Sequence, residues 1–306
     1  QIISTPFAGP DLFTLMPRGF YGLAFSFEPF KLTRFTNQHL QLFFSRITLY
    51  QSRFANYYTH GNRYTSERTN GFYTIGLRYR TKMAENIINF QGWFYDFYDF
   101  ATLLYLEAGI LHGHTSSIRP ALDVQFINEG NSGQQRLGPV NVKIYGARGG
   151  ILFPRGSLYL VWNGSPKHYN TFRHGGMIHP YNDLSETFFT DGMNDGMGDI
   201  GPGYAYGIQG SYNFMNNRIG IFLHYVRYRA DYGYGGAAYA INGEFGFPEG
   251  EPVLNQWQYE LDGGISYHFA GMLHGLRVHL HIGVRDFTDS PNGAFVDNRL
   301  AFIYKF

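Results

Sequence analysis

The sequence has no cysteine, which rules out disulfides, thiolate metal sites and Cys-x-x-Cys-His haem attachment. Charge is also scarce: Lys, Arg, Asp and Glu make up 15% of the 306 residues and leave a formal net charge of +1. That balance gives no argument for nucleic acid or for an anionic surface as partner. No apolar run reaches the ~18 residues that a membrane-crossing helix requires, so a helical membrane protein is excluded. Gly-x-Ser-x-Gly, P-loop and His-Glu-x-x-His motifs are missing, and "GDIGPG" and "GYGG" are loop glycines, not dinucleotide fingerprints. The expectation is a non-enzymatic protein without cofactor or metal. The chain opens at Gln1 with neither Met nor an apolar leader, which suggests a processed or partial chain.

What is abundant is aromatic and glycine. Phe, Tyr and Trp account for 19% of residues, with 29 Phe, 25 Tyr and 39 Gly, a mixture that suits strands and tight turns and not helices. The sequence therefore reads as all-β.

Two-residue alternation confirms that reading segment by segment. In "GLRVHLHIGVR", Leu276, Val278, Leu280, Ile282 and Val284 oppose Arg277, His279, His281, Gly283 and Arg285. The same pattern runs through 204–214, 218–226, 257–269 and 298–306, and more weakly through 19–27, 39–53, 71–81, 85–97, 100–111, 118–129, 140–148 and 156–163. This makes thirteen candidate strands. Short turns at 81–86, 213–217 and 270–275 alternate with long polar connections at 52–70, 230–256 and above all 164–202. The last carries five carboxylates (Asp183, Glu186, Asp191, Asp195, Asp199) against Lys167 and Arg173. A structureless stretch of that length in a compact domain points to a job for it.

Two all-β architectures compete. A soluble sandwich covers its outward faces with charge, whereas here the non-apolar faces are rich in Gly, Ser, Gln, Asn, Arg and His, and the apolar faces begin and end in Tyr, Trp or Phe. Apolar bands between aromatic girdles, a polar lumen, short turns at one end and long loops at the other define a transmembrane β-barrel. An open edge in hydrocarbon would leave backbone groups unsatisfied, so the wall must close. Single-chain bacterial barrels have even strand numbers, which implies a fourteenth strand or more. The expected unit is one barrel domain over 1–306, with 164–202 narrowing the pore.

With the apolar faces turned to lipid, parity puts Arg78, Arg80, Lys143, Arg218, Arg277, Arg285, Arg299 and Lys305 on the lumen side, with Glu107, Asp123, Glu260 and Asp262 as the anions. Successive guanidinium groups offer a carboxylate bidentate stations along a pore. The same residues could instead pair with one another, Arg against Glu260 or Asp262, as wall structure. His279 and His281 share a face, but their Cβ atoms stand ~7 Å apart and no third ligand completes a site. Wall hydrogen bonding is the better reading for them, and His168, His174 and His179 lack ligand spacing.

Several stretches resemble the OprD family of Gram-negative outer-membrane porins: "GPDLFTLMPRGFYGLAF" at 9–25, "FQGWFYDFYDFATLLYLEAG" at 90–109, "DGMNDGMGDIGPGYAYGIQGSYNF" at 191–214, and the closing "GLRVHLHIGVR" and "DNRLAFIYKF". The resemblance implies an 18-stranded barrel, narrowed by inward loops and lined on one side by basic residues. Arg78, Arg80, Arg218, Arg277, Arg285 and Arg299 are then the ladder candidates. By that measure the chain starts several strands late and is short by about a quarter, as a truncated chain or a smaller relative would be.

The expected function is passive, selective diffusion of small anionic or zwitterionic solutes through the outer membrane. Its expected partners are those solutes, outer-membrane lipid and lipopolysaccharide, and the insertion machinery that recognises a last strand ending on Phe306. A homo-oligomer or complex partner is compatible with this, and nucleic acid is not expected. The alternative is a barrel that sheathes another protein.

Overall fold

The computed structural model describes residues 19–29, 37–51, 57–62, 64–113, 118–181, 188–191, 201–231, 257–273, 275–287 and 295–304. Among them thirteen strands form one antiparallel sheet in strict chain order: β1 Gly19–Phe27, β2 Gln38–Gln51, β3 Phe72–Met83, β4 Asn86–Phe97, β5 Ala101–His112, β6 Arg119–Asn131, β7 Val142–Phe153, β8 Gly156–Ser165, β9 Gly203–Phe214, β10 Ile219–Ala230, β11 Trp257–His268, β12 Leu276–Phe287 and β13 Phe295–Tyr304. Each coincides with one of the thirteen alternating segments. Among the described residues β1 and β13 have one strand neighbour each, and no fourteenth strand occurs. Lys305 and Phe306 lie outside the described residues.

Adjacent strands of a meander need only a tight turn, and the longest connections share one end. The β3–β4 turn is Ala84–Glu85 and the β7–β8 turn Pro154–Arg155, both at the end where the β9–β10 turn also lies. In that last turn Met215, Asn216 and Asn217 all adopt positive φ (47°, 55° and 67°), a conformation asparagine tolerates well. The opposite end carries the connections β2–β3, β8–β9 and β10–β11, so long loops collect on one side.

The two faces differ. On one, Leu23, Ile75, Leu122, Leu160, Leu223, Leu300 and Phe302 are exposed. On the other, the β8–β9 connection packs back against the sheet from β2 to β10, which makes that face the inside. A β-bulge between Tyr21 and Gly22 kinks the β1–β2 pair. A Cβ at Gly22 would lie 2.0 Å from the Arg46 carbonyl oxygen, so the bulge excludes any larger residue there.

Candidate pore lining and constriction

The inward face has three zones. The first, next to the long loops, is apolar. Phe43, Ile47, Phe72, Trp93, Tyr95, Phe97, Leu103, Tyr105, Ile127 and Ile144 are buried there from β2 to β7, and Met177, Ile178, Tyr181, Phe188 and Phe189 of the β8–β9 connection pack onto them. The expectation of a polar inward face throughout is corrected here. "QGWFYDF" on β4 has aromatics at both parities, so alternation cannot tell lipid from lumen in that stretch.

The inward segment is pinned by specific bonds. The Ile178 amide donates to Glu129 Oε2 (2.8 Å) and the Phe172 amide to the Pro139 carbonyl (2.7 Å). Tyr181 packs on Phe72, its ring centroid 4.9 Å away, and pairs its hydroxyl with Thr69 Oγ1 at 3.0 Å. Burial raises the Tyr181 phenol above its usual pKa, and the Thr69 hydrogen bond partly offsets this. Thr190 donates through both amide and hydroxyl to Asn163 Oδ1 (3.1 and 3.0 Å), and its carbonyl accepts from the Tyr228 hydroxyl (2.8 Å). Buried backbone groups outside a ladder need such partners. Of the acidic residues in this connection, Asp191 caps the Phe188 amide at 2.7 Å. Asp183, Glu186, Asp195 and Asp199 lie outside the described residues.

The second zone is a continuous polar chain beneath the apolar one. Trp93 Nε1 donates to Gln91 (3.1 Å), Gln91 to Glu107 (3.0 Å), and the Tyr105 hydroxyl to the same Glu107 oxygen. Gln125 donates to the Tyr105 hydroxyl (3.1 Å) and Asn163 to Gln125 (3.2 Å). The chain thus runs from β4 across the wall to the loop-anchoring Asn163.

The third zone holds the charges. Arg78 and Arg80 line a cavity of about 510 Å³ with Glu28, His39, Gln41, Asn89, Gln91 and Glu107. Arg78 sits over the rings of Phe43 and Trp93, at 5.4 and 5.2 Å. Those rings meet at 4.9 Å across Gly76, where a Cβ would lie 2.0 Å from Trp93. The glycine therefore opens the seat that carries the Arg78 guanidinium.

The remaining predicted residues are placed differently. Arg285 is buried, opposite Glu260 in register, and donates to Gln258 at 3.0 Å. Asp262 is buried 3.8 Å from His224. Arg299 pairs with Asp297 on its own strand at 2.8 Å. Arg277 faces inward opposite Ile303, on the same face as His279 and His281, which flank Phe222. Arg78 and Arg80 on β3 thus share a cavity, while Arg277, Arg285 and Arg299 lie on β12 and β13, near the other edge of the sheet.

Two assignments are corrected. Lys143 is on the outer face with Tyr145, because Val142 and Ile144 turn inward beneath the loop. Arg218 is in the β9–β10 turn, not on a strand. Sequence reasoning also missed Arg148, which faces inward, bonds Asp123 at 3.0 and 2.9 Å and lies over the Phe189 ring at 4.8 Å. The signal for it was Gly146, Arg148 and Gly150, small or polar at every second position.

A meander sheet with one apolar outer face, a loop folded against the inner face and charges below that loop is the architecture of a porin-type β-barrel wall. Comparison with solved structures gives that class particular neighbours. OccAB3 of Acinetobacter baumannii matches at 16% identity and TM-score 0.71, over 100% of this chain and 72% of that one. OpdK of Pseudomonas aeruginosa, solved with vanillate, matches at 14% identity and TM-score 0.73, over 99% and 73%. OccK2 (OpdF) of the same organism, solved with glucuronate, matches at 12% identity and TM-score 0.72, over 100% and 77%. These neighbours are OprD-family outer-membrane porins, and the chain shares with them an all-β fold of antiparallel strands. No family model and no curated protein matches the sequence.

Proposed function

We propose that the chain forms the wall of a channel in a bacterial outer membrane, through which small hydrophilic solutes diffuse passively and selectively. The observation that carries this reading is the cavity beneath the inward segment, where Arg78 and Arg80 stand beside Glu28 and Glu107. Two guanidinium groups take a carboxylate through charge-assisted hydrogen bonds. The neighbouring carboxylates take an ammonium, so anionic and zwitterionic solutes both have complementary groups. Vanillate and glucuronate, present in two structural neighbours, are themselves carboxylates. The sheath alternative is disfavoured, because the chain's own segment already covers the inward face from β2 to β10.

Permeation into proteoliposomes tests the proposal. A small carboxylate should enter faster than an uncharged sugar of equal size, and Arg78→Gln with Arg80→Gln should reduce that preference roughly tenfold, the scale of losing one hydrogen bond to a charged group. Equal permeation of both solutes through the wild-type protein would contradict it.

A further inference from the structure

Among the described strand residues the outer face carries its cations at one end only. Among the described strand residues, the outward-facing Lys and Arg are Arg46, Lys143, Arg227 and Arg229, and each lies in the half of its strand next to the long loops. Near the short turns the same face presents Ile110, Leu122, Ile151, Phe214, Ile221, Ile265 and Phe302. In barrels of this class the long loops are extracellular. The cations therefore meet the outer leaflet and not the inner one.

Arg46 is committed to the wall, since its guanidinium donates to the carbonyls of Ile47 (2.7 Å), Phe72 (3.0 Å) and Asn70 (2.5 Å). Arg227 and Arg229 are arranged otherwise. They are two apart on one face of β10, and both guanidinium groups lie over the ring of Trp257, at 4.7 and 5.9 Å. Tyr204 and Tyr206 meet the same ring edge-on at 5.5 and 5.7 Å, and Arg229 donates to the Tyr204 hydroxyl at 2.9 Å. A guanidinium seated over an aromatic ring leaves its N–H edge facing sideways, from where it can donate to two phosphate oxygens at once. Aromatic rings at headgroup depth fix that height in the membrane.

We propose that Arg227 and Arg229, seated on Trp257, bind a phosphate of a phosphorylated glycolipid of the lipopolysaccharide type in the outer leaflet. The site rests on the outer-membrane reading above but not on conduction, since it lies on the opposite side of the wall from the lumen.

The test uses the full chain in detergent, with a deep-rough lipopolysaccharide as probe and its enzymatically dephosphorylated form as control, read by native mass spectrometry. The wild type should retain the phosphorylated form preferentially, and Arg227→Gln with Arg229→Gln should weaken that retention about tenfold while single-channel conductance stays unchanged. Equal retention of the two glycolipids by the wild type would overturn the site, whether or not the double variant folds. Undiminished retention in a folded double variant would also overturn it. Preferential retention in a protein that shows no conductance would support the site and sink the porin reading alone.

Discussion

Asn163 ties the inward segment to the wall through several bonds at once. Its Oδ1 accepts both bonds from Thr190, and its Nδ2 joins Gln125 and the Tyr145 carbonyl. Asn163→Ala should cost about 1–3 kcal/mol for the buried donors it strands. It should also let protease cleave the inward segment near 188–191 in the folded barrel, and resistance equal to wild type would count against the anchoring role. A second contrast separates the wall's two sides: Arg148→Ala should shift ion selectivity in planar bilayers, because it removes the guanidinium that pairs with Asp123 on the inward face, whereas Lys143→Ala should not. These two residues show where parity misleads. At the loop end of β7, Val142 and Ile144 are buried by the chain's own segment, so the apolar parity points inward there and outward farther down.

At the scale of elements, all the strands were legible and their faces only partly so. β12 alternates cleanly over 276–285: its outward residues are Leu, Val and Ile, its inward residues are Arg, His and Gly, and the buried cluster under the inward segment does not extend to it. β4 does not, since its inward Trp93, Tyr95 and Phe97 support a segment that arrives from more than seventy residues away. No local period can encode a contact that distant. Gly76 belongs to the same pattern, and its role became visible only with Phe43 and Trp93 on either side. Gly76→Val should displace those rings, tilt Arg78 out of the cavity and lower the temperature at which the barrel loses its compact electrophoretic mobility. The inward segment offers a complementary test at Glu129, whose oxygen accepts the Ile178 amide. Glu129→Gln keeps an acceptor and should conduct quietly. Glu129→Leu removes it and should give noisy, larger openings, and matching traces from the two variants would sink this account of the anchor.

At the scale of the whole molecule, three asymmetries define the wall. The longest connections lie at one end; exposed apolar residues cover one side of the sheet and a loop-packed, charged face the other; and among the described strand residues outward cations sit only at the loop end. The first and second were readable from segment spacing and period. The third required the placement of Lys143, Arg227 and Arg229 on their strands. On the inward face, Arg78 and Arg80 of β3 line a cavity while Arg285, Glu260 and Asp262 of the far strands are buried among their neighbours. The central claim is therefore that Arg78 and Arg80 set the preference of an open path. The reversal potential across a planar bilayer in a salt gradient measures this most directly. The account predicts an anion-preferring potential for the wild-type protein that moves toward cation preference in Arg78→Gln/Arg80→Gln, and a potential identical in both proteins would contradict it.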